Sequence, residues 1–383
     1  MKRAITGVSA VSRMGIGLEE HYAAFVSGKK PDNRPATTFD SSKYPDVRVF
    51  EVPDFEPKKY LGDKGLRTLD RLAKLMIVAA RFALGEAGVK KDGQFVSPMT
   101  AERIGFVCSN AYGTLEAATE LNRVAILEDA RYINPAKFPN TVANSASGYV
   151  SIWEDLRAMN VTVSDGNCGA LDAFAVSDMH LATGRADCFL VGGAEAMTEA
   201  LFHAFRKLGV LTHATIGEGA ALLLVETLES AEERQAKVLA YLTGYGTTFF
   251  APHDERLLFA SADAMESAIR MALEAANIGA EEIDGVVTGE SGLPEFDEAE
   301  RAGIARVIAK DVPLLRPKAW FGDTLGASGA FATLYALACF DASTALWKRE
   351  SSSERIPKRL LVTTLGYYGN ASAVVVERPE LLS

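Results

Sequence analysis

The sequence is poor in residues that staple or ligate. Only four cysteines occur in 383 residues: Cys108, Cys168, Cys188 and Cys339. They lie far apart and form no Cys-x-x-Cys pair, so neither a zinc site nor a disulfide framework is indicated. A reducing compartment, the cytoplasm, is the simplest setting. Histidine is scarce too, with His21, His180, His203, His213 and His253. With 32 Gly and 14 Pro, collagen-like and low-complexity classes are excluded. Positive charge is in deficit, 40 Lys and Arg against 50 Asp and Glu, for a net charge of -10. That argues against a nucleic-acid partner, whose binding depends on neutralising phosphates. Long hydrophobic runs are missing. The longest uncharged stretch, 324–340, is rich in Gly, Ala and Thr and bounded by Asp323 and Asp341. A bilayer span needs about 20 strongly apolar residues, so a buried core helix is expected and no membrane partner. The opening MKRAITGVSAVSRMG lacks the long apolar region of a secretion signal. No Gly-x-Gly-x-x-Gly opens a helix after a strand, and no cofactor or metal is expected.

What is present describes a folded protein. Hydrophobic residues make up 48% and charged residues 23%, enough for a large core without staples. A prior of about 150 residues per domain suggests two domains, or one two-part domain.

An internal repeat organises the chain. Residues 70–87 place Leu72, Leu75, Met76, Ala79, Phe82, Ala83 and Ala87 on one helical face, with Gly88 as a stop. The run RIGFVCSN then reads as a strand. The order recurs later. Asp263 and Glu266 read as a capping pair, and Met265, Ile269, Ala272, Leu273 and Ala276 line one face before the strand DGVVTGES. The ends match as well: CFLVGGAEA and ALLLVE in one half, RLLVTTLGYYG and ASAVVVE in the other. Each pair follows a small-residue helix. Continuous apolar strands alternating with helices indicate an α/β fold with covered sheets. The reading is two similar α/β halves, 1–240 and 241–383.

Several segments, in order, resemble the β-ketoacyl synthases of fatty-acid and polyketide assembly. They are AITGVSAVSRMGIG, DRLAKLMIVAARFALGEAGV, FPNTVANSASGYVSI, VTVSDGNCGALDAFAVSDMHLATGRADCFLVGGAEAM, GEGAALLLVE, PKAWFGDTLGASGAF and LGYYGNASAVVVE. The resemblance implies the thiolase fold, two pseudo-repeated halves in a layered αβαβα arrangement, and side-by-side dimers. It also implies where catalytic residues would stand. The family's nucleophile is a Cys at a helix N-terminus, where the dipole lowers its pKa. Here Thr162-Val163-Ser164 leads to Asn167 at that position, with Cys168 one residue on. The family's first His falls on Gly289, ahead of Pro294, Asp297 and Glu300, and its second falls on Asp323, after Lys318. An amide forms no thiolate, and an aspartate is an anion where negative charge must be stabilised. None of the five histidines lies in a glycine-rich turn of the second half.

The type II polyketide synthases contain a class in this state, the chain-length factor, an inactive subunit paired with an active ketosynthase. Asn167-Cys168-Gly169-Ala170-Leu171-Asp172-Ala173 is similar to that class's elbow. The resemblance implies a non-catalytic subunit that shapes a tunnel limiting polyketide or polyene length. Its partners would be an active ketosynthase and, through the complex, an acyl carrier protein with its phosphopantetheine-linked chain. The tunnel residues would be Thr114, Ala117 and Leu121, at i, i+3 and i+7 on one helical face; simple packing against the partner is the alternative. Gly366-Tyr367-Tyr368-Gly369 stands where the family has a Gly-Phe-Gly-Gly gate, and the resemblance implies that Tyr367 and Tyr368 form a gate in which bulky Tyr368, at a Gly position, closes a pocket. The loop Thr212-His213-Ala214-Thr215-Ile216 is shorter than the family's entrance loop. Arg67, Arg71, Arg206 and Lys207, with Lys64 and Lys74, are candidate carrier-docking cations or a solvated face. Glu300 and Lys318 are a candidate buried structural pair. Cys168 is read as a buried small side chain, turned about 100° from position 167. The rival reading is a self-standing acyltransferase or decarboxylase using Cys168 or Asp323, and a third is a scaffold homodimer.

Overall fold

The computed structural model describes residues 2–45, 47–252, 255–309 and 311–379. The strands of the first half are β1 (Arg3–Ser12), β2 (Ile104–Ser109), β3 (Asn160–Val163), β4 (Cys188–Glu195) and β5 (Gly219–Glu226). Those of the second are β6 (Ala240–Phe249), β7 (Gly285–Val287), β8 (Leu314–Leu315), β9 (Arg359–Leu365) and β10 (Asn370–Glu377). The first half is ordered β3-β2-β4-β5-β1 and the second β8-β7-β9-β10-β6. Each strand thus sits where its counterpart five places on sits in the other half. The sense of pairing repeats too: the first three strands in each order are parallel, and the remaining pairs antiparallel. The two sheets meet where Arg3–Ile5 pairs with Ala240–Leu242. β6 therefore begins at Ala240, beside the expected join between the halves.

The helices explain the layering. Helix α1 (Arg71–Glu86) and α3 (Ser145–Glu154) cover the outer face of the first sheet; α2 (Leu115–Val124) lies between them in sequence. Helix α4 (Gly169–Ala182) packs between the sheets, and α5 is Glu199–Lys207. Helices α6 (Ala262–Ala276) and α7 (Pro294–Val307) cover the outer face of the second sheet. Helix α8 (Ser328–Phe340) lies beside α4, touching strands of both halves. Every residue of α8 is buried. A helix between two sheets has no solvated face, which is why the sequence there lacks polar periodicity. The fold is α/β, with the expected five layers.

Local signals decide the helix ends. Asp70 caps α1 by accepting from Ala73 N at 2.8 Å, a contact worth about 1 kcal/mol. Burial on α1 extends beyond the expected stripe to Ala73, Ile77, Val78 and Ala80, because α3 covers the side away from the sheet. The expected Asp263–Glu266 capping pair is not the cap of α6. Ser261, in extended conformation, caps it by accepting from Ala264 N. Asp263 already lies inside the helix, and it holds Arg306 together with Glu266. No helix of the described residues is long and apolar enough to cross a membrane.

Candidate functional site

The site forms where the two halves bring the starts of α4 and α8 together. After β3 the chain turns at Gly166, φ +54°, and a short 3-10 turn carries Asn167 and Cys168 into α4. A Cβ at Gly169 would collide with the Ser109 hydroxyl, so the helix enters close against β2. The second half repeats the turn. Gly322, φ +72°, precedes Asp323, and a 3-10 turn leads into α8. Two left-handed turns suited to glycine thus set Asn167 and Asp323 face to face.

Asp323 is the hub. Its carboxylate accepts from Tyr367 Oη at 2.6 Å, Leu325 N at 3.1 Å and Ser328 Oγ at 3.1 Å. Asn167 Nδ2 lies 3.3 Å from each of its oxygens. Lys318 Nζ pairs with it at 3.1 Å. Burial opposes the charge on Asp323, but Lys318 and the Tyr367 hydroxyl outweigh it and hold the carboxyl below its ordinary range. Burial pushes the Tyr367 hydroxyl well above 10, so it remains a donor.

The expected Glu300–Lys318 pair does not form. Lys318 goes to Asp323, while Glu300 accepts from Gly289 N at 2.8 Å and Thr363 Oγ1 at 2.6 Å. The aspartate at the second histidine position offers the ammonium a closer anion. Beside Gly289 there remains a void of about 10 Å³, walled by Thr288, Lys318, Phe331 and Thr364. That is room for about one water, far less than an acyl thioester needs. Cys168 is buried and its sulfur faces the Thr364 carbonyl at 3.5 Å; burial raises its thiol well above the ordinary range. A protonated, buried thiol is inert.

The remaining candidates are dispersed. Tyr367 does not stand at an entrance: it is buried, and its hydroxyl belongs to the Asp323 cluster. Tyr368 lies at the surface, its hydroxyl 2.6 Å from that of Tyr112. Thr114 precedes α2 and is half-buried, as is Leu121, while Ala117 is buried. Ala117 lines a cavity of about 490 Å³ with Arg67, Glu116, Glu120, Asn134 and Lys137. Arg71 is not a free docking cation. It bridges to the fully buried Glu218 at 2.5 Å, and to Val52 O, so it is a strut. Arg67 and Lys207 are exposed, and Arg206 lies over the Tyr44 ring at 5.0 Å.

Two features escaped the sequence. Tyr367 contributes a hydroxyl to the hub, for which the only signal was an aromatic with a donor in the gate motif. His213, on the shortened loop, lines an outer cavity of about 340 Å³ with Thr215, Glu290, Ser291, Asp297 and Lys318. Nothing in the sequence spacing linked those two loops. Of the other histidines, His21 is buried between Ser12 Oγ and Gly17 O, and burial lowers it to about 4. His253 lies outside the described residues.

Two buried carboxyls flank the hub. Burial raises Glu195, which accepts from Ala111 N, and Glu300, each from 4.5 to about 7. A carboxyl raised on folding stabilises below its unfolded pKa, and that contribution is lost as pH climbs to the folded one. Stability from Glu300 is therefore present below pH 4.5 and gone above about 7. Glu300→Gln, which resembles the protonated form, should gain on the wild type by up to about 3 kcal/mol between pH 5 and 8. Denaturant titration at both pH values measures it; a pH-independent difference would contradict the raised pKa.

A duplicated α/β half, with paired elbows at the starts of two central helices, defines the thiolase-fold class of condensing enzymes. Residues 2–231 match the β-ketoacyl synthase N-terminal domain and residues 239–346 its C-terminal domain, and the chain belongs to the β-ketoacyl synthase family. It is 27% identical to 3-oxoacyl-[acyl-carrier-protein] synthase 2 of Coxiella burnetii, covering 89% of this chain and 86% of that protein. It is 30% identical to the tetracenomycin polyketide synthase ketoacyl synthase beta subunit of Streptomyces glaucescens, covering 85% and 82%. Among solved structures, the ishigamide ketosynthase/chain length factor superposes with a TM-score of 0.88 at 22% identity, covering 99% of each chain. A type II PKS ketosynthase in complex with its acyl-carrier protein gives 0.80 at 20%, also covering 99% of each.

Proposed function

We propose that this chain is a chain-length factor, a non-catalytic subunit that pairs with an active β-ketoacyl-carrier synthase and shapes the tunnel limiting polyketide or polyene length. The observation that carries this reading is the Asp323 hub. The nucleophile position holds an amide bonded to a buried carboxylate, and the void beside Gly289, at the first histidine position, admits about one water. A thiolate would be opposed by that anion, and no acyl group would fit the void beside Gly289. The relationship to the tetracenomycin beta subunit supports the same reading.

The surface supports a partner. β3 ends its sheet with one side unpaired. On the segments leading to it, Ile126, Leu127, Tyr132, Phe138, Val142 and Ile152 are exposed. A strand edge with large apolar side chains around it is a pairing surface. A carrier protein would then reach the complex through the active partner, with Arg67, Arg206 and Lys207 as this chain's available cations.

The test uses the purified chain alone and with its co-purifying ketosynthase. Alone, with acyl- and malonyl-carrier, it should take up no acyl group and release no carbon dioxide; a covalent adduct or steady release would support a self-standing acyltransferase or decarboxylase instead. Together, a 1:1 complex is expected, and its absence would favour a scaffold homodimer. In that complex Ala117→Phe should shorten the products while malonyl decarboxylation is kept; unchanged lengths would remove α2 from the tunnel.

A further inference from the structure

Helix α2 is held loosely. Of its residues, Leu115–Val124, only Ala117 is buried. It runs out into a π-helical turn, Ala125–Asp129, a rare geometry that recurs at functional sites. Two cavities border it: the one of about 490 Å³ beside Ala117, and another of about 580 Å³ lined by Phe39, Tyr44, Met197 and His203. Glu116 and Glu120 stand in the wall of both. With few buried apolar contacts and open space beside it, such a helix shifts readily unless its start is fastened.

One side chain fastens it. Glu195, at the end of β4, is 1% exposed. Its carboxyl accepts from Ala111 N at 2.8 Å and Tyr112 N at 3.2 Å, just before α2, and Gly326 N on the Asp323 elbow donates to it as well. A Cβ on Gly326 would stand 2.6 Å from Ala111 N, and one on Gly193 would stand 2.4 Å from Gly326 O. The loop, β4 and the elbow thus meet backbone to backbone, and one carboxyl joins a loop of the first half to a turn of the second. Asp323, paired with Lys318, faces Glu195 from the elbow, and Tyr112 from the loop. Glu218, paired with Arg71, stands next to Gly219, the register partner of Glu195 on β5. β2 brings Cys108, a thiol that burial pushes up to about 12, and α4 and α8 meet β4 through apolar side chains. Both nearby cations are thus engaged with other anions.

We infer that Glu195 is a proton-held clasp: protonated, it fastens the start of α2 to the Asp323 elbow, and ionised, it releases the loop. A protonated carboxyl still accepts from the amides, while an ionised one, buried beside Asp323, gains water when the loop opens. Burial, with the Asp323 charge, raises Glu195 from 4.5 to about 7, so the closed form binds the proton more tightly than a solvated carboxyl does. The hold on the loop is therefore complete below pH 4.5 and lost as pH climbs through about 7. The elbow stays pinned by its own hub, so the loop is the part that moves. Tyr112 moves with it, and the bond of its hydroxyl to that of Tyr368, a tie between the halves, is given up. The clasp is a property of this chain alone and does not depend on its activity.

The experiment is native-state hydrogen exchange on the full chain, read by mass spectrometry on the peptide that holds Ala111 and Tyr112. Protection factors are compared at pH 6 and pH 8, after correction for the intrinsic pH dependence of exchange. With the two pKa values above, protection should fall about tenfold from pH 6 to pH 8. Glu195→Gln, which resembles the protonated form, should hold the same protection at both pH values. Glu300→Gln should keep the tenfold fall, because Glu300 bonds elsewhere, to Gly289 N and Thr363 Oγ1. The exchange should also be insensitive to low concentrations of guanidinium, as a local opening is. Equal protection at both pH values in the unaltered chain would overturn the clasp. So would a fall that persists in Glu195→Gln, or one whose denaturant dependence is that of global unfolding. Should Glu195→Gln not fold, the unaltered chain and Glu300→Gln decide by the same outcomes.

Discussion

Asn167→Cys should place a thiol at the family's nucleophile position and leave it unreactive. The amide nitrogen it replaces lies 3.3 Å from both oxygens of Asp323. Two charges about 4 Å apart at an effective dielectric of about 20 repel by roughly 4 kcal/mol, of which the Lys318 ammonium paired with Asp323 offsets a part. That raises a thiol by up to about 3 pH units, before burial adds its own penalty. Near neutral pH the thiolate population, and with it the alkylation rate, should fall roughly a thousandfold below that of an exposed cysteine. Position 167 is buried like the four native cysteines, so iodoacetamide labelling is read as the difference from the unaltered chain. Asn167→Cys combined with Asp323→His should label about a hundredfold faster than Asn167→Cys alone, since the repulsion is then gone, with both slower than an exposed thiol. Labelling of the single variant at the rate of a free thiol would mean that Asp323 carries no charge there, and the proposed loss of catalysis would need another cause.

Lys318→Met should produce the largest loss of stability. Its side chain is 9% exposed and that of Asp323 only 1%, so the pair is shielded from water. Removing one partner of a buried pair leaves the other charge uncompensated, at a cost of about 3–5 kcal/mol. The donors from Tyr367, Leu325 and Ser328 remain, and they keep the loss from growing further. Lys318→Met with Asp323→Asn removes both charges and should return about half of the loss, because a neutral amide accepts from the same donors. Denaturant unfolding of the wild type and both variants measures these differences. A loss below about 1 kcal/mol for Lys318→Met would class the pair with exposed ion pairs and dismantle the account of the hub.

The repeat was legible because it rests on composition. Apolar runs such as CFLVGGAEA and RLLVTTLGYYG, each after a small-residue helix, mark strands and helices buried on all sides, and the duplicated strand order follows from them. The elbow was legible because register is kept from Thr162 to Ala173, which put Asn167 in place, and from Lys318 to Gly329, which put Asp323 in place. What the sequence concealed is the choice among partners. Lys318 has Glu300 and Asp323 within reach in sequence terms, and only the fold shows that the turn at Gly322 delivers Asp323 to it. Arg71 read as one of a cationic series along a helix, and only the packing of β5 shows Glu218 beneath it. The cap of α6 went to Ser261 because a capping residue needs extended backbone, which a one-dimensional pattern of acidic residues does not encode.

The hub also bears on how the molecule moves. Asp323 belongs to the second half and Asn167 to the first, and the Tyr112 and Tyr368 hydroxyls tie the same two halves a short way off. Where sheets from two halves meet, opening and closing about the seam is the natural low-energy motion. Here that motion is pinned at two points, one in the interior and one at the rim. Backbone amides at the starts of α4 and α8 accordingly belong to the slowest-exchanging part of the molecule, and flexibility is left to the outer segments.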